Sequence, residues 1–270
     1  MLNQIKYVIK QLRHRLYKPA DTTYTGEKAV IEKYLRRIPQ KNNICVDIAA
    51  SDGMSQSNTL FLWEQGWSGL AVECEVDNFS ILASHYRKFP KVMLFRGKVF
   101  PQNIVSVLQA CQLPKKFDFL NFDIDSYDYF VLDQLLSSYH PQLICAEINE
   151  NVPPPICFTV KYSSDQAWAG DHFFGQSLSQ LNKLCIEHKY KIVELCYNNA
   201  ILVPSELSGL MGLTPEEAYR KGYAKKVERK KKFPWDKDME ILQQMTGTEG
   251  VKFLKNKFAK YKGKFICTTP

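Results

Sequence analysis

The chain has 270 residues, 45 % hydrophobic and 24 % charged, with 36 Lys and Arg against 28 Asp and Glu, for a formal net charge of +8. That length and balance suit one full α/β domain with additions, and exclude a disordered, collagen-like or disulfide-scaffold chain. The sequence contains no apolar run of the length that spans a bilayer and no secretory signal pattern, so the expectation is a soluble cytoplasmic protein.

The eight cysteines (45, 74, 111, 145, 157, 185, 196 and 267) are scattered, and several sit inside apolar runs such as Leu143-Ile144-Cys145-Ala146. Zinc clusters and disulfide frameworks use tighter, paired spacing, so these read as reduced core cysteines. The positive charge is concentrated at one end. Residues 221–270 hold 14 Lys and Arg against 5 Asp and Glu, which leaves the first 220 residues at −1. Such a tail either meets an anionic partner (RNA, lipid or an acidic protein) or is a solvated face.

In chain order, Leu2, Ile5, Val8, Ile9, Leu12 and Leu16 recur at helical spacing, with Lys6, Lys10, Arg13 and Arg15 on the polar side. This is an amphipathic basic helix, suited to peripheral membrane contact or to docking on its own domain or a second subunit. A helix over 26–37 follows. From Asn43 the chain alternates strands and helices: strand 44–49, helix 54–65, strand 69–73, helix 78–86, strand 92–95, helix 104–110, strand 117–124, helix 127–137 and strand 143–148. That rhythm predicts a doubly wound, mostly parallel sheet with right-handed crossovers.

Beyond Asn149 lie some 25 residues without periodicity, with Pro153-Pro154-Pro155 among them, expected as a structureless lid or substrate loop. A helix over 176–188 and a hairpin of 190–196 with 200–203, turned by Asn198-Asn199, close the sheet. Thr214-Pro215-Glu216-Glu217 marks a helix start. The lysine run 225–232 and helical stretches near 238–245 and 249–260 complete the chain. The organisation expected is an N-terminal helical segment (1–42), a sheet domain (43–204) and a basic helical extension (205–270).

Two stretches carry the chemistry. Val46-Asp47-Ile48-Ala49-Ala50-Ser51-Asp52-Gly53 is a strand running into small residues, which a backbone needs where it comes close to a ligand. Neither the G-x-G-x-x-G dinucleotide fingerprint nor the P-loop pattern is present, which argues against NAD and against triphosphate hydrolysis. Glu73, about 20 residues past the turn, ends the next strand where an acid accepts hydrogen bonds from both ribose hydroxyls. Turn and acid together point to an adenosine ligand.

The second stretch, 117–149, brings Asp123, Asp125, Glu147 and Asn149 to the carboxyl ends of two neighbouring strands, where ligands of open α/β sheets bind. Asp123 either caps the following helix or joins the others around a hard cation such as Mg²⁺. His172, beside Asp171 in the long loop, is the candidate general base. Trp168, Phe173 and Phe174 either cover the substrate or anchor that loop.

The runs VDIAASDG, GWSGLAVE, FDFLNFDIDSYDYFVLDQLL and CAEINENVPPP resemble the motifs of FkbM-type class I S-adenosylmethionine-dependent methyltransferases over 43–204. The resemblance implies a Rossmann-like sheet of about seven strands. It also implies that Asp47, Ala49, Ser51, Asp52 and Gly53 bind the methionine part of the cofactor, Glu73 its ribose, and Lys98 or its neighbours after the third strand its adenine. Ala49 stands where the family usually has a glycine. The acids are further similar to the metal site of catechol-type O-methyltransferases, which gives Asp123 a catalytic duty in activating a hydroxyl. The expected function is O-methylation of a sugar or natural-product hydroxyl. The rivals are an RNA methyltransferase using the basic tail, and a non-catalytic nucleoside-binding or interaction protein. Oligomeric state stays open.

Overall fold

The computed structural model describes residues 21–39 and 41–270. The amphipathic helix expected over 2–17 lies outside the described residues. Seven strands form one sheet: β1 (Ile44–Ile48), β2 (Ser68–Glu73), β3 (Val92–Arg96), β4 (Lys116–Phe122), β5 (His140–Glu147), β7 (Tyr190–Cys196) and β8 (Asn199–Pro204). Their order is β3-β2-β1-β4-β5-β8-β7. The first five run parallel, while β8 is antiparallel to both neighbours. The fold is the expected Rossmann-like α/β sheet, reversing direction in strand order at β1 and β4.

Why the sheet takes helices on both faces is written in its strands. Period-two alternation sends Val46, Ile48, Leu70, Val72, Leu120, Phe122, Ile144 and Ala146 into one core layer. Cys45, Ala71, Phe119, Leu143 and Cys145 enter the other. Helices Ile104–Ala110, Asp128–Leu136 and Leu178–Glu187 cover the first face, and Glu27–Leu35, Leu60–Glu64 and Val76–Tyr86 the second. In the Gly-Trp-Ser-Gly run, Gly69 has φ 147, and a Cβ there would lie 1.8 Å from the carbonyl oxygen of Cys45. Only glycine lets β2 approach β1 so closely. All eight cysteines are free, and six are buried.

Three local expectations are corrected. The helix foreseen over 54–65 is only Leu60–Glu64; residues 51–59 form turns instead, because Asp52 Oδ1 accepts from the backbone N–H groups of Met54 (2.9 Å) and Ser55 (2.7 Å) and competes with helical bonding. The β7–β8 hairpin turns at Tyr197-Asn198, with Tyr197 at φ 55, while Asn199 already pairs with Cys196.

The long segment after β5 is not structureless. It contains β6 (Cys157–Val160), paired antiparallel with β9 (Phe265–Thr268) at the far end of the chain. Around this pair Val152, Ile156, Phe158, Phe173, Leu242, Leu254 and Phe258 form a third apolar cluster. Residues a hundred or more positions apart help build that cluster, which is why local periodicity did not announce it.

Candidate functional site

The carboxyl edge of β1, β2 and β4 opens into a cavity of about 580 Å³. Among its lining residues are Asp47, Ala49, Ser51, Asp52, Glu73 and Lys98, six of the seven expected cofactor contacts. Gly53, the seventh, is not among them. It has φ 70, an added Cβ there would meet Leu82 and Tyr86 at 2.5 Å, and its carbonyl accepts from the Tyr86 hydroxyl at 3.2 Å. Its glycine character serves packing under the turn.

The turn itself is built from left-handed residues: Ala49 at φ 65, Ser51 at 49, Gly53 at 70 and Gln56 at 55. This curls the backbone around the cavity mouth. Non-glycine residues adopt that region at a cost of about 1–2 kcal/mol each, so the loop stores strain beside the cavity. Glu73 offsets part of it. Its Oε2 accepts from the Ser51 N–H (2.8 Å) and its Oε1 from the Glu75 N–H (2.6 Å), tying the ends of β1 and β2 together. Each carboxylate oxygen keeps a second lone pair for a ligand hydroxyl.

Asp47 is buried on the cavity floor. The β1–β4 register sets it beside Asn121, whose amide donates to Oδ1 at 2.9 Å, while the Thr59 hydroxyl donates to Oδ2 at 2.6 Å. Asn58 in turn donates to Asn121 Oδ1 at 3.0 Å. Burial pushes the Asp47 carboxyl up to about 6 despite these donors. Asn58, Thr59 and Asn121 were missed at the sequence level; the signal for Asn121 was a lone amide in the otherwise apolar run Phe119-Leu120-Asn121-Phe122.

Lys98 lines the cavity, and its ammonium donates to the backbone carbonyls of Gln166 (2.8 Å) and Ser164 (3.2 Å). Through it the loop 163–168 is drawn over the cavity, where Gln166, Ala167 and Trp168 complete the lining. Trp168 is 50 % exposed and Phe173 only 1 %. The aromatic alternatives therefore divide: Trp168 roofs the cavity, whereas Phe173 stacks on Tyr261 at 3.9 Å and anchors the loop in the third cluster.

Asp123 and Asp125 also line the cavity, and their carboxylates lie with that of Glu147 within 4.8 Å of one another. Asp128 supports them. Its two oxygens accept from the Ile124 and Ser126 N–H groups, both at 2.9 Å, fixing the loop in which Asp125 takes φ 54. The helix-capping duty considered for Asp123 is not seen: the helix Asp128–Leu136 has no side-chain cap, and Asp128 braces the loop that precedes it. Burial, and then the Asp125 charge, raises the Asp123 carboxyl well above the usual carboxylate range. Glu147 is raised by burial and then by Asp123 and Asp125. Asp123 Oδ1 is buried without a hydrogen-bond partner. Three crowded carboxylates, one with an unsatisfied oxygen, fit a hard divalent cation, which takes the place of the protons they would otherwise share.

Asn149 and His172 are placed elsewhere. The Asn149 amide donates to the carbonyls of His172 (2.9 Å) and Phe174 (3.0 Å), and its Oδ1 accepts from the Asn151 N–H at 3.2 Å. It pins the loop after β5. The His172 ring is not among the cavity's lining residues, and its Nε2 lies 3.0 Å from Asp238 Oδ1 in the C-terminal segment.

Neither a family model nor a curated protein matches the sequence. Solved structures are similar in fold. A putative O-methyltransferase from Klebsiella pneumoniae is similar at 15 % identity with a TM-score of 0.43, covering 69 % of this chain and 83 % of that one. An O-methyltransferase from Bacillus cereus in complex with SAH is similar at 15 % identity and TM-score 0.44, over 75 % and 90 %. An S-adenosylmethionine-dependent methyltransferase from Clostridium acetobutylicum is similar at 11 % and 0.45, over 74 % and 99 %.

Proposed function

We propose that this protein is an S-adenosylmethionine-dependent O-methyltransferase acting on a hydroxyl of a sugar or related natural product, with a divalent cation held by Asp123, Asp125 and Glu147. The observation that carries the proposal is one cavity holding both chemistries. Its β1–β2 side offers a curled small-residue turn and the Glu73 carboxylate, which suit an adenosine ligand, and its β4 side offers Asp123 and Asp125.

In the reaction the acceptor hydroxyl gives its proton to solvent water, its oxygen attacks the methyl carbon in line, and the carbon–sulfur bond breaks to leave the neutral thioether S-adenosylhomocysteine. Holding oxygen and methyl near van der Waals contact supplies much of the acceleration. A bound cation lowers the pKa of the acceptor hydroxyl, and the residues around it position that hydroxyl. His172, outside the cavity lining, keeps the role of general base only through movement of its loop.

Isothermal titration with S-adenosylhomocysteine tests the first part: absence of heat overturns the methyltransferase proposal. Asp123→Ala and Glu147→Ala test the second by removing Mg²⁺ dependence of methyl transfer, and full activity in chelator would eliminate the cation. An unchanged rate in His172→Ala removes the histidine from the chemistry.

A further inference from the structure

The lysine run near the C-terminus folds into a compact basic knob, one of whose cations is turned inward. Arg229 is 8 % exposed; its guanidinium forks onto both carboxylate oxygens of Glu240 and lies 5.2 Å from the centre of the Tyr223 ring. This clamp fixes the short helix Arg229–Lys232 against the body of the protein and leaves its neighbours outward. Lys225, Lys226, Lys230, Lys231 and Lys237 are all exposed, with Glu228 the one exposed acid between 225 and 237.

Two large apolar side chains stand among these lysines. Val227 is 94 % exposed and Trp235 56 %. The group is held together by aromatic contacts: the ammonium groups of Lys226 and Lys232 each lie 5.5 Å from the Tyr197 ring centre, Tyr197 packs on Phe233 at 5.9 Å, and Phe233 meets Trp235 edge-on at 5.8 Å. The surface is therefore a pre-formed patch of cations around protruding apolar tips.

We infer that the patch of residues 225–237 binds an anionic phospholipid surface, with Val227 and Trp235 entering the headgroup layer and the surrounding lysines meeting the lipid charges. Juxtaposed cations and apolar tips are what a charged bilayer interface rewards: each lysine gains from the negative surface potential, and the apolar side chains gain by leaving water. Tryptophan in particular favours the interfacial region, where its apolar body is dry and its N–H is wet. A nucleic acid fits less well. It is bound by aromatic platforms on which successive bases stack, and here one exposed aromatic accompanies an aliphatic tip with nothing to offer a base.

The segment that carries the patch packs near the end of β5. Asp236, next to Trp235, is buried among groups that include Glu150 and the Tyr223 hydroxyl, which donates to it at 2.7 Å. Glu150 lies three residues past Glu147 of the acid cluster.

Flotation of the full-length protein with phosphatidylcholine vesicles, with and without phosphatidylglycerol, tests the inference. Binding is expected only to the anionic vesicles and is expected to fall as salt rises. Lys225→Glu with Lys231→Glu, and separately Trp235→Ser, should each weaken it at least tenfold. All are exposed substitutions, and the N-terminal segment is common to every variant. Unchanged binding in both variants would overturn the inference by assigning attachment to another part of the chain. So would absence of vesicle binding by a wild type that instead retains RNA of random sequence through the same lysines.

Discussion

Replacing Asp47 by Asn in the ligand-free protein should change how stability depends on pH more than it changes the fold. Asp47 is 2 % exposed, and burial lifts its carboxyl from 3.8 to about 6. The folded state thus holds a proton more tightly than the unfolded state does. A raised carboxyl contributes stability that is present at acid pH, below the unfolded value, and is lost as pH rises through about 6. A displacement of this size makes the contribution about 2.5 kcal/mol larger near pH 4 than near pH 7. Asparagine keeps an oxygen for the Asn121 amide and presents its NH₂ to Thr59, so the variant retains the cavity floor without titrating there. Urea unfolding of both proteins at the two pH values isolates the effect, because all other groups cancel in the difference. Wild type minus variant should fall by about 2.5 kcal/mol from the lower to the higher pH. A pH-independent difference, or one that grows with pH, would refute the argument, since the donors Thr59 and Asn121 would then outweigh burial.

Two further outcomes follow from the cavity wall. Ala49→Gly relieves a left-handed alanine at φ 65. The gain of about 1–2 kcal/mol is reduced by about 0.4–1 kcal/mol of unfolded-state entropy, leaving a rise of roughly 0.5–1 kcal/mol measurable by urea unfolding; a lower midpoint would contradict the strain. Lys98→Met removes the two hydrogen bonds that hold the loop 163–168. In a Trp235→Phe background, where Trp168 is the exposed tryptophan, fluorescence should become more accessible to acrylamide and affinity for S-adenosylhomocysteine should fall about tenfold, or ~1.4 kcal/mol; unchanged quenching would mean the loop is held otherwise.

Much of the site was legible because it is assembled from strand ends. Asp47, Glu73 and the Asp123–Asp125 pair each close or follow an apolar run, and parallel strands bring their carboxyl ends to one edge without further information. Burial on both faces made the strands readable as apolar runs, and the alternation that splits them between two core layers is local. Segments whose form depends on a single side chain were less legible, as at 51–59, where the Asp52 carboxylate captures two N–H groups and delays the helix.

What the amino-acid sequence by itself determined is the doubly wound sheet and the acids and small residues on its carboxyl edge, since these follow from periodicity and the geometry of parallel pairing. Tertiary structure alone decided which of those residues share a cavity. It brought Gln166, Ala167 and Trp168 to the wall of the cavity that Glu73 lines, spent Asn149 on holding a loop, turned His172 toward Asp238, and paired β6 with the last strand of the chain. The physical reason is range. Backbone periodicity acts over a few residues, whereas these contacts join segments tens to about a hundred residues apart, and they are settled by burial and hydrogen-bond satisfaction in the folded chain.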